Sequence, residues 1–295
     1  MAREIPRTTT GSDWGKADFA AIYDRPDPRA YFSVLQPLDY QVPHHGQAVF
    51  RMLTDALRRL PPDTSRSTSP QVLDLCCSYG VNAALLNHRL DLGDLYAHYT
   101  GLPGEDRLTA HQLADEDKAF YAEQRRPDAV RVVGLDAAPR AVGYARAVGL
   151  LDDGFAEDLE TGAPTPALRD AVGGTDLITV TGGVGYIGAP TFDRLLDCMS
   201  APPWVAAFVL RTVSYAPVAA VLERAGLVTE QVPGRTFRQR RFADGGEREG
   251  VFTALAGRGL DTEGLEEDGF YHADLYLSRP AADVAAVPLE RLLPV

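Results

Sequence analysis

Lysine is nearly missing from this chain of 295 residues: of 29 basic residues only Lys16 and Lys118 are lysines. The arginine bias fits a GC-rich coding sequence. Cysteine is also scarce, with Cys76, Cys77 and Cys198 only. Three thiols cannot form a complete set of disulfides, so a disulfide scaffold is excluded and small buried thiols in a reducing cytoplasm are expected. No apolar run approaches the roughly 20 residues that span a bilayer. Met1–Ser12 is polar without an apolar stretch, so no signal peptide is read and a cytoplasmic location is expected. Positive charge is in deficit: 29 basic against 41 acidic residues leave a formal charge of −12. Such a surface repels phosphate backbones and anionic leaflets, so neither a nucleic-acid partner nor a membrane is expected. The basic run Arg235–Arg241 reads as a solvated hairpin strand. No phosphate-binding G-x-x-x-x-G-K-[ST] loop and no G-x-S-x-G nucleophile elbow occurs. His88, His98 and His111 lack metal-ligand spacing, and no metal site is expected.

What is present is an ordinary globular balance, 45% apolar and 24% charged. Residues 1–12 read as disordered. Trp14–Leu60 reads as a helical, aromatic lid, ending in a helix over Gln47–Leu60. Pro61–Pro70 reads as a linker. Strand patterns follow at Val72–Leu75, Val130–Leu135, Gly154–Leu159, Leu177–Val180 and Val205–Val213. Helical patterns alternate with them at Ala83–Arg89, Pro139–Val148, Thr191–Met199 and Pro217–Ala225. That alternation predicts an α/β fold, doubly wound, with a mostly parallel sheet. A hairpin is expected from Thr236–Phe242 and Gly250–Leu255 around Asp244-Gly245-Gly246, making seven strands. The divisions are 1–68 for lid and linker, 69–259 for a cofactor-binding core with a helical insertion at 87–128, and 260–295 for a tail whose stretch Phe270–Leu277 has strand character.

Two small-residue turns follow strands. The first, Asp74-Leu75-Cys76-Cys77-Ser78-Tyr79-Gly80, opens a helix after an apolar strand. Ligands of open α/β sheets bind beyond the carboxyl ends of strands, and small residues let the backbone approach them. This run resembles the first motif of class I S-adenosylmethionine-dependent methyltransferases, with Cys76 and Ser78 in place of the first two glycines. The resemblance covers Gln71–Gly257 and implies a Rossmann-like methyltransferase fold. It implies S-adenosyl-L-methionine as cofactor and S-adenosyl-L-homocysteine as product. It assigns cofactor contacts to Asp74, Cys76, Ser78 and Gly80. Asp136, ending the second strand, would hold the ribose, with Ala137 beside the adenine. Asp158 and Leu159 would flank the adenine, and Thr181 and Gly182 would line the cofactor after the fourth strand. Methyl transfer mainly requires alignment of the reactants and acceptance of any released proton. The candidates for a base are His44, His45 and Tyr186. Candidates for holding a small-molecule substrate are Tyr40, Tyr186, Arg211 and Tyr215. Methylation of an O or N atom, in secondary metabolism, is the expectation; a homodimer is left open.

The second turn, Thr181-Gly182-Gly183-Val184-Gly185-Tyr186-Ile187-Gly188, contains G-x-G-x-x-G and is similar to the fingerprint of NAD(P)-dependent epimerases and reductases. Those enzymes use a Tyr-x-x-x-Lys pair. Here Ser12 and Ala114 stand four residues before the two lysines, so the pair is missing. A non-catalytic cofactor-binding domain is the third alternative.

Overall fold

The computed structural model describes residues 20–60, 69–102 and 107–293. The stretch 1–12, Lys16 and most of the linker lie outside the described residues.

The elements run α1 (Ala20–Tyr23), α2 (Arg29–Leu35), α3 (Val42–Arg59), β1 (Gln71–Leu75), α4 (Val81–Asn87), α5 (Leu92–Thr100), α6 (Ala110–Gln124), β2 (Arg131–Asp136), α7 (Pro139–Ala147), β3 (Asp153–Ala156), α8 (Pro166–Val172) and β4 (Leu177–Thr181). There follow α9 (Ala189–Leu196), β5 (Trp204–Leu210), α10 (Ala216–Arg224), β6 (Leu227–Gln231), β7 (Phe237–Arg241), α11 (Gly245–Gly257), β8 (Phe270–Pro280), α12 (Ala281–Ala286) and α13 (Leu289–Leu292). No helix among the described residues is long and apolar enough to cross a membrane.

The strands form one sheet in the order β3-β2-β1-β4-β5-β8-β6, with β7 also paired to β8. The first five are parallel; β8 runs antiparallel to β5, β6 and β7. Successive side chains point to opposite faces, so each interior strand feeds two cores. Val72, Val132, Leu177, Ala206 and Phe208 pack with α3, α4 and α7. Leu73, Val133, Ile178, Val205 and Ala207 pack with α8, α9 and α10. Strands covered on both faces carry continuous apolar runs, as WVAAFVL of β5 does. The fold is a doubly wound α/β sheet.

Two expectations require correction. The sheet has eight strands rather than seven. The segment Gly250–Leu255 is not a hairpin strand but lies in α11, because Asp244 caps that helix through the Glu247 amide at 2.8 Å. A turn-like Asp-Gly-Gly is therefore a helix start. Finally, the strand character expected of Phe270–Leu277 is realised as β8, which sits between β5 and β6, so the sheet runs past residue 259.

The insertion 87–128 supplies α5 and α6. Asp117 of α6 is fully buried and accepts from Tyr99 of α5 at 3.1 Å and from Tyr144 of α7. Tyr99 also bonds Tyr121 and Tyr144, each at 2.8 Å. This network fixes the insertion to the core. Tyr96 then donates to the Tyr40 carbonyl at 2.8 Å and props the N-terminal lid.

Candidate functional site

Strand order reverses at β1, whose neighbours β2 and β4 lead away in opposite directions. In open α/β sheets the crevice beyond the carboxyl ends of such strands is where ligands sit. Asp74 lies one residue before the end of β1 and is buried. Its Oδ1 accepts from Asn82 Nδ2 and Thr179 Oγ1, both at 2.9 Å. Its Oδ2 has no partner among the described residues. Burial lifts its pKa to about 7, against the lowering effect of those two hydrogen bonds. Asn82 also donates to Thr181 Oγ1 at 3.0 Å, so β1, α4 and β4 meet at one carboxamide.

The turn after β1 takes the shape that glycines would give it. Cys76 and Ser78 stand at φ 55° and 47°, and Gly80 at 77°. Left-handed backbone at a residue with a side chain costs about 1–3 kcal/mol and persists only where the surroundings enforce it. One enforcing contact is Asp136: its Oδ2 accepts from the Ser78 amide and its Oδ1 from the Ala138 amide, both at 2.9 Å. Burial raises the Asp136 pKa, and the amides of Ser78, Ala138 and Ala137 oppose the rise. The Ser78 hydroxyl is buried without a partner among the described residues. Burial, followed by Asp136 and Asp74, pushes the Cys76 and Cys77 thiols up, so both remain protonated. Opposite them, a methyl group on Gly183 would stand 2.7 Å from Cys76 Sγ, and only glycine fits.

The lid is tied across these strand ends. On one side the Arg25 amide donates to Tyr79 Oη at 2.8 Å and the Arg140 amide to Asp24 at 2.7 Å. On the other, Gln41 N donates to Gln239 O and Arg241 N to Leu38 O, each at 2.7 Å. Tyr40 is buried, edge-on to Tyr31 at 6.3 Å. Burial raises its pKa, as it raises that of Tyr23. Both are fixed as neutral phenols.

The remaining candidates fall in different places. His45 is partly buried, 5.4 Å from the Phe237 ring, with Nε2 unpartnered among the described residues. Burial, then His44 and Arg235, lowers its pKa to about 4, so it is neutral at pH 7 and a weak base. His44 is exposed. Tyr186 is 67% exposed at the tip of the loop after β4. Asp158 is exposed and caps its own turn, accepting from Glu160 N at 2.9 Å and Thr161 Oγ1 at 2.7 Å. Leu159 packs into the core on the α8–α10 face. Arg211 is committed elsewhere: it is buried against Glu266 at 2.5 Å and donates to the Asp261 carbonyl at 2.7 Å. Its guanidinium is thereby withdrawn from gripping a substrate carboxylate. Tyr215 stacks on Tyr276 at 4.5 Å within the same core as Leu159. Asn82 and Gln239 were missed by sequence reasoning. Asn82 follows the turn by two residues, a signal that was legible; Gln239 is masked by its arginine neighbours.

The second turn is occupied by the protein itself. Glu160 Oε1 accepts from the Gly188 amide at 2.7 Å, the Thr191 amide at 3.2 Å and Thr191 Oγ1 at 2.5 Å. These amides open α9, where a dinucleotide pyrophosphate would lie. A fixed carboxylate there repels it.

No protein-family model matches the chain, and no curated protein matches it. Solved structures do match distantly. The plantazolicin methyltransferase BpumL, in complex with SAH, is 11% identical over 88% of this chain and 93% of its own, with a TM-score of 0.41. YcgJ of Bacillus subtilis is 10% identical over 80% and 98%, at 0.44. The [4+2]-cyclase SpnF is 13% identical over 78% and 80%, at 0.37. Similarity this low carries no argument about activity, which rests on the residues above.

Proposed function

We propose that this chain is a class I S-adenosylmethionine-dependent methyltransferase that methylates an O or N atom of a small molecule. The carrying observation is the turn Cys76–Gly80 at the switch point, held in a glycine-like path by the Asp136 carboxylate at both Ser78 and Ala138. The donor set fits an adenosyl amino acid. Asp136 has lone pairs left for two ribose hydroxyls. Ser78 Oγ and Asp74 Oδ2 are buried and without a partner among the described residues, as groups awaiting a ligand's polar atoms would be. Asp74 favours a cationic ammonium, since a positive neighbour offsets the burial that raises its pKa.

Bound there, the cofactor supplies a methyl group already activated on a sulfonium. The chain's own residues then bind, orient and exclude water. Gly183 lets the turn after β4 pack directly against Cys76, and the lid from Tyr23 to Tyr40 covers the strand ends. His45, uncharged at pH 7, can accept a proton but holds it weakly. The dinucleotide alternative is disfavoured by Glu160 at the start of α9. An acceptor of modest size is favoured by the enclosed, tyrosine-rich lid and by the net charge of −12.

The test is calorimetric titration with S-adenosylmethionine, S-adenosylhomocysteine, NAD and NADP, repeated with Asp136→Ala. Micromolar binding of the adenosyl compounds alone is expected. Binding of a nicotinamide cofactor alone moves the site to Gly183–Gly188 and ends the methyltransferase reading.

A further inference from the structure

Strand β7 brings one polar side chain to the carboxyl end of β4. Strand β7 pairs with the part of β8 that lies level with the end of β5: Phe237 faces Ala273, and Ala273 faces Leu210. It therefore stands at the rim where ligands bind. Along it Arg238 and Arg241 are exposed while Phe237 and Gln239 are buried. Gln239 is 5% exposed. Its carboxamide lies directly on Gly182, where a methyl group would stand 2.6 Å from Nε2. Its Oε1 is buried without a partner among the described residues. Leaving such an acceptor unpaired is costly, so a buried amide with an idle oxygen points to a donor from outside the chain. The backbone of the same residue holds the lid, through Gln41 N at 2.7 Å. The packing next along the strand is aromatic: buried Phe237 meets Phe208 edge-on at 5.0 Å and His45 at 5.4 Å.

We propose that Gln239 is a specificity-determining residue: its Oε1 accepts a hydrogen bond from the O–H or N–H of the methyl acceptor, and selects flat aromatic acceptors that carry such a donor. This rests on the methyl-transfer reading above. Glycine at 182 then has a second purpose, because any side chain there would displace the amide. Arg238, paired with Asp268 at 2.7 Å, and Arg241 are exposed, while buried Arg240 is committed to Glu247 at 2.6 Å, which leaves Gln239 as the side chain of the strand set against Gly182.

The test uses full-length protein saturated with S-adenosylhomocysteine and ligand-observed NMR titration of four probes. Phenol and aniline carry the donor; anisole and N,N-dimethylaniline have similar ring shapes without it. The expected result is about tenfold tighter binding of each donor over its methylated counterpart, the worth of one hydrogen bond. Gln239→Leu abolishes that preference, and Gln239→Glu, which keeps an acceptor oxygen, retains it. Unfolding temperatures of both variants establish that they fold, and S-adenosylhomocysteine affinity is expected to be unchanged. Equal binding of donors and counterparts in the wild type, or a preference that survives in Gln239→Leu, overturns the proposal. Failure of S-adenosylhomocysteine to bind the wild type removes the methyl-transfer reading first and this inference with it.

Discussion

The turns after β1 and β4 invert what their sequences advertise. The β4 turn has every glycine of a dinucleotide fingerprint, yet Glu160 fills the helix start behind it. The β1 turn has cysteine and serine where glycines would ease the path, yet both residues adopt left-handed backbone, and polar atoms there have no partner among the described residues. Two carboxylates mark the contrast. Glu160 is satisfied by three donors from its own chain. Asp74 is satisfied at one oxygen and idle at the other. A glycine pattern reports where backbone can approach something; the partners already in place decide whether that something is a ligand.

Replacing the idle carboxylate should have the largest effect. An acid whose pKa rises on folding holds its proton more tightly in the native state. The stability it lends is complete below about pH 4 and is lost as the pH climbs to about 7. A shift from 3.8 to about 7 corresponds to about 4 kcal/mol as an upper bound. Asp74→Asn removes that loss. In urea unfolding, the stability gap between variant and wild type should widen by up to this amount from pH 4 to pH 8. Saturating S-adenosylmethionine should narrow the gap above pH 7, where its ammonium meets the charged carboxylate. A gap independent of pH would show that the burial of Asp74 is already compensated.

Asp136→Ala comes next. It removes two charge-assisted acceptors from a ligand and the anchor of the Ser78 amide. Affinity for S-adenosylhomocysteine should fall about a hundredfold by calorimetry, on the order of 3 kcal/mol. Glu160→Ala should lower stability by about 2 kcal/mol through the lost cap of α9, with no gain of NAD binding. Acquired NAD affinity would mean that Glu160 alone had separated the two turns.

The interior strands were legible because strands buried on both faces carry continuous apolar runs. Strand β6, LVTEQ, escaped notice because it is half polar and partly exposed. The run Gly250–Leu255 after Asp244-Gly245-Gly246 suggested a hairpin strand, but Asp244 and the Glu247–Arg240 pair, at 2.6 Å, impose a helix. In the candidate site, the places of Asp74, Asp136 and the Cys76–Gly80 turn at strand ends were legible from the apolar strands that precede them. Arg211 and Tyr215 pointed the wrong way, since residue type after a strand does not reveal that Glu266 and Tyr276 wait across the fold. Gln239 was hidden by the opposite error: four arginines around it suggest water, while Gln239 and its neighbour Arg240 are both buried on β7, where the register is irregular.

The smallest effect sharpens the comparison most directly. Ser78→Gly should relieve a left-handed backbone and an unpartnered buried hydroxyl, each worth about 1 kcal/mol or more. Glycine's larger unfolded-state entropy takes back about 0.5–1 kcal/mol. The unliganded variant should therefore be about 1 kcal/mol more stable in thermal unfolding. If Ser78 Oγ is held for the cofactor, the same variant should bind S-adenosylhomocysteine several-fold more weakly, stability and affinity moving in opposite directions. Gly185, also at positive φ in the β4 turn, faces only Val213. Gly185→Ala should lower stability through backbone strain and leave affinity alone. A loss of affinity there, with none at Ser78, would reverse the assignment of the two turns.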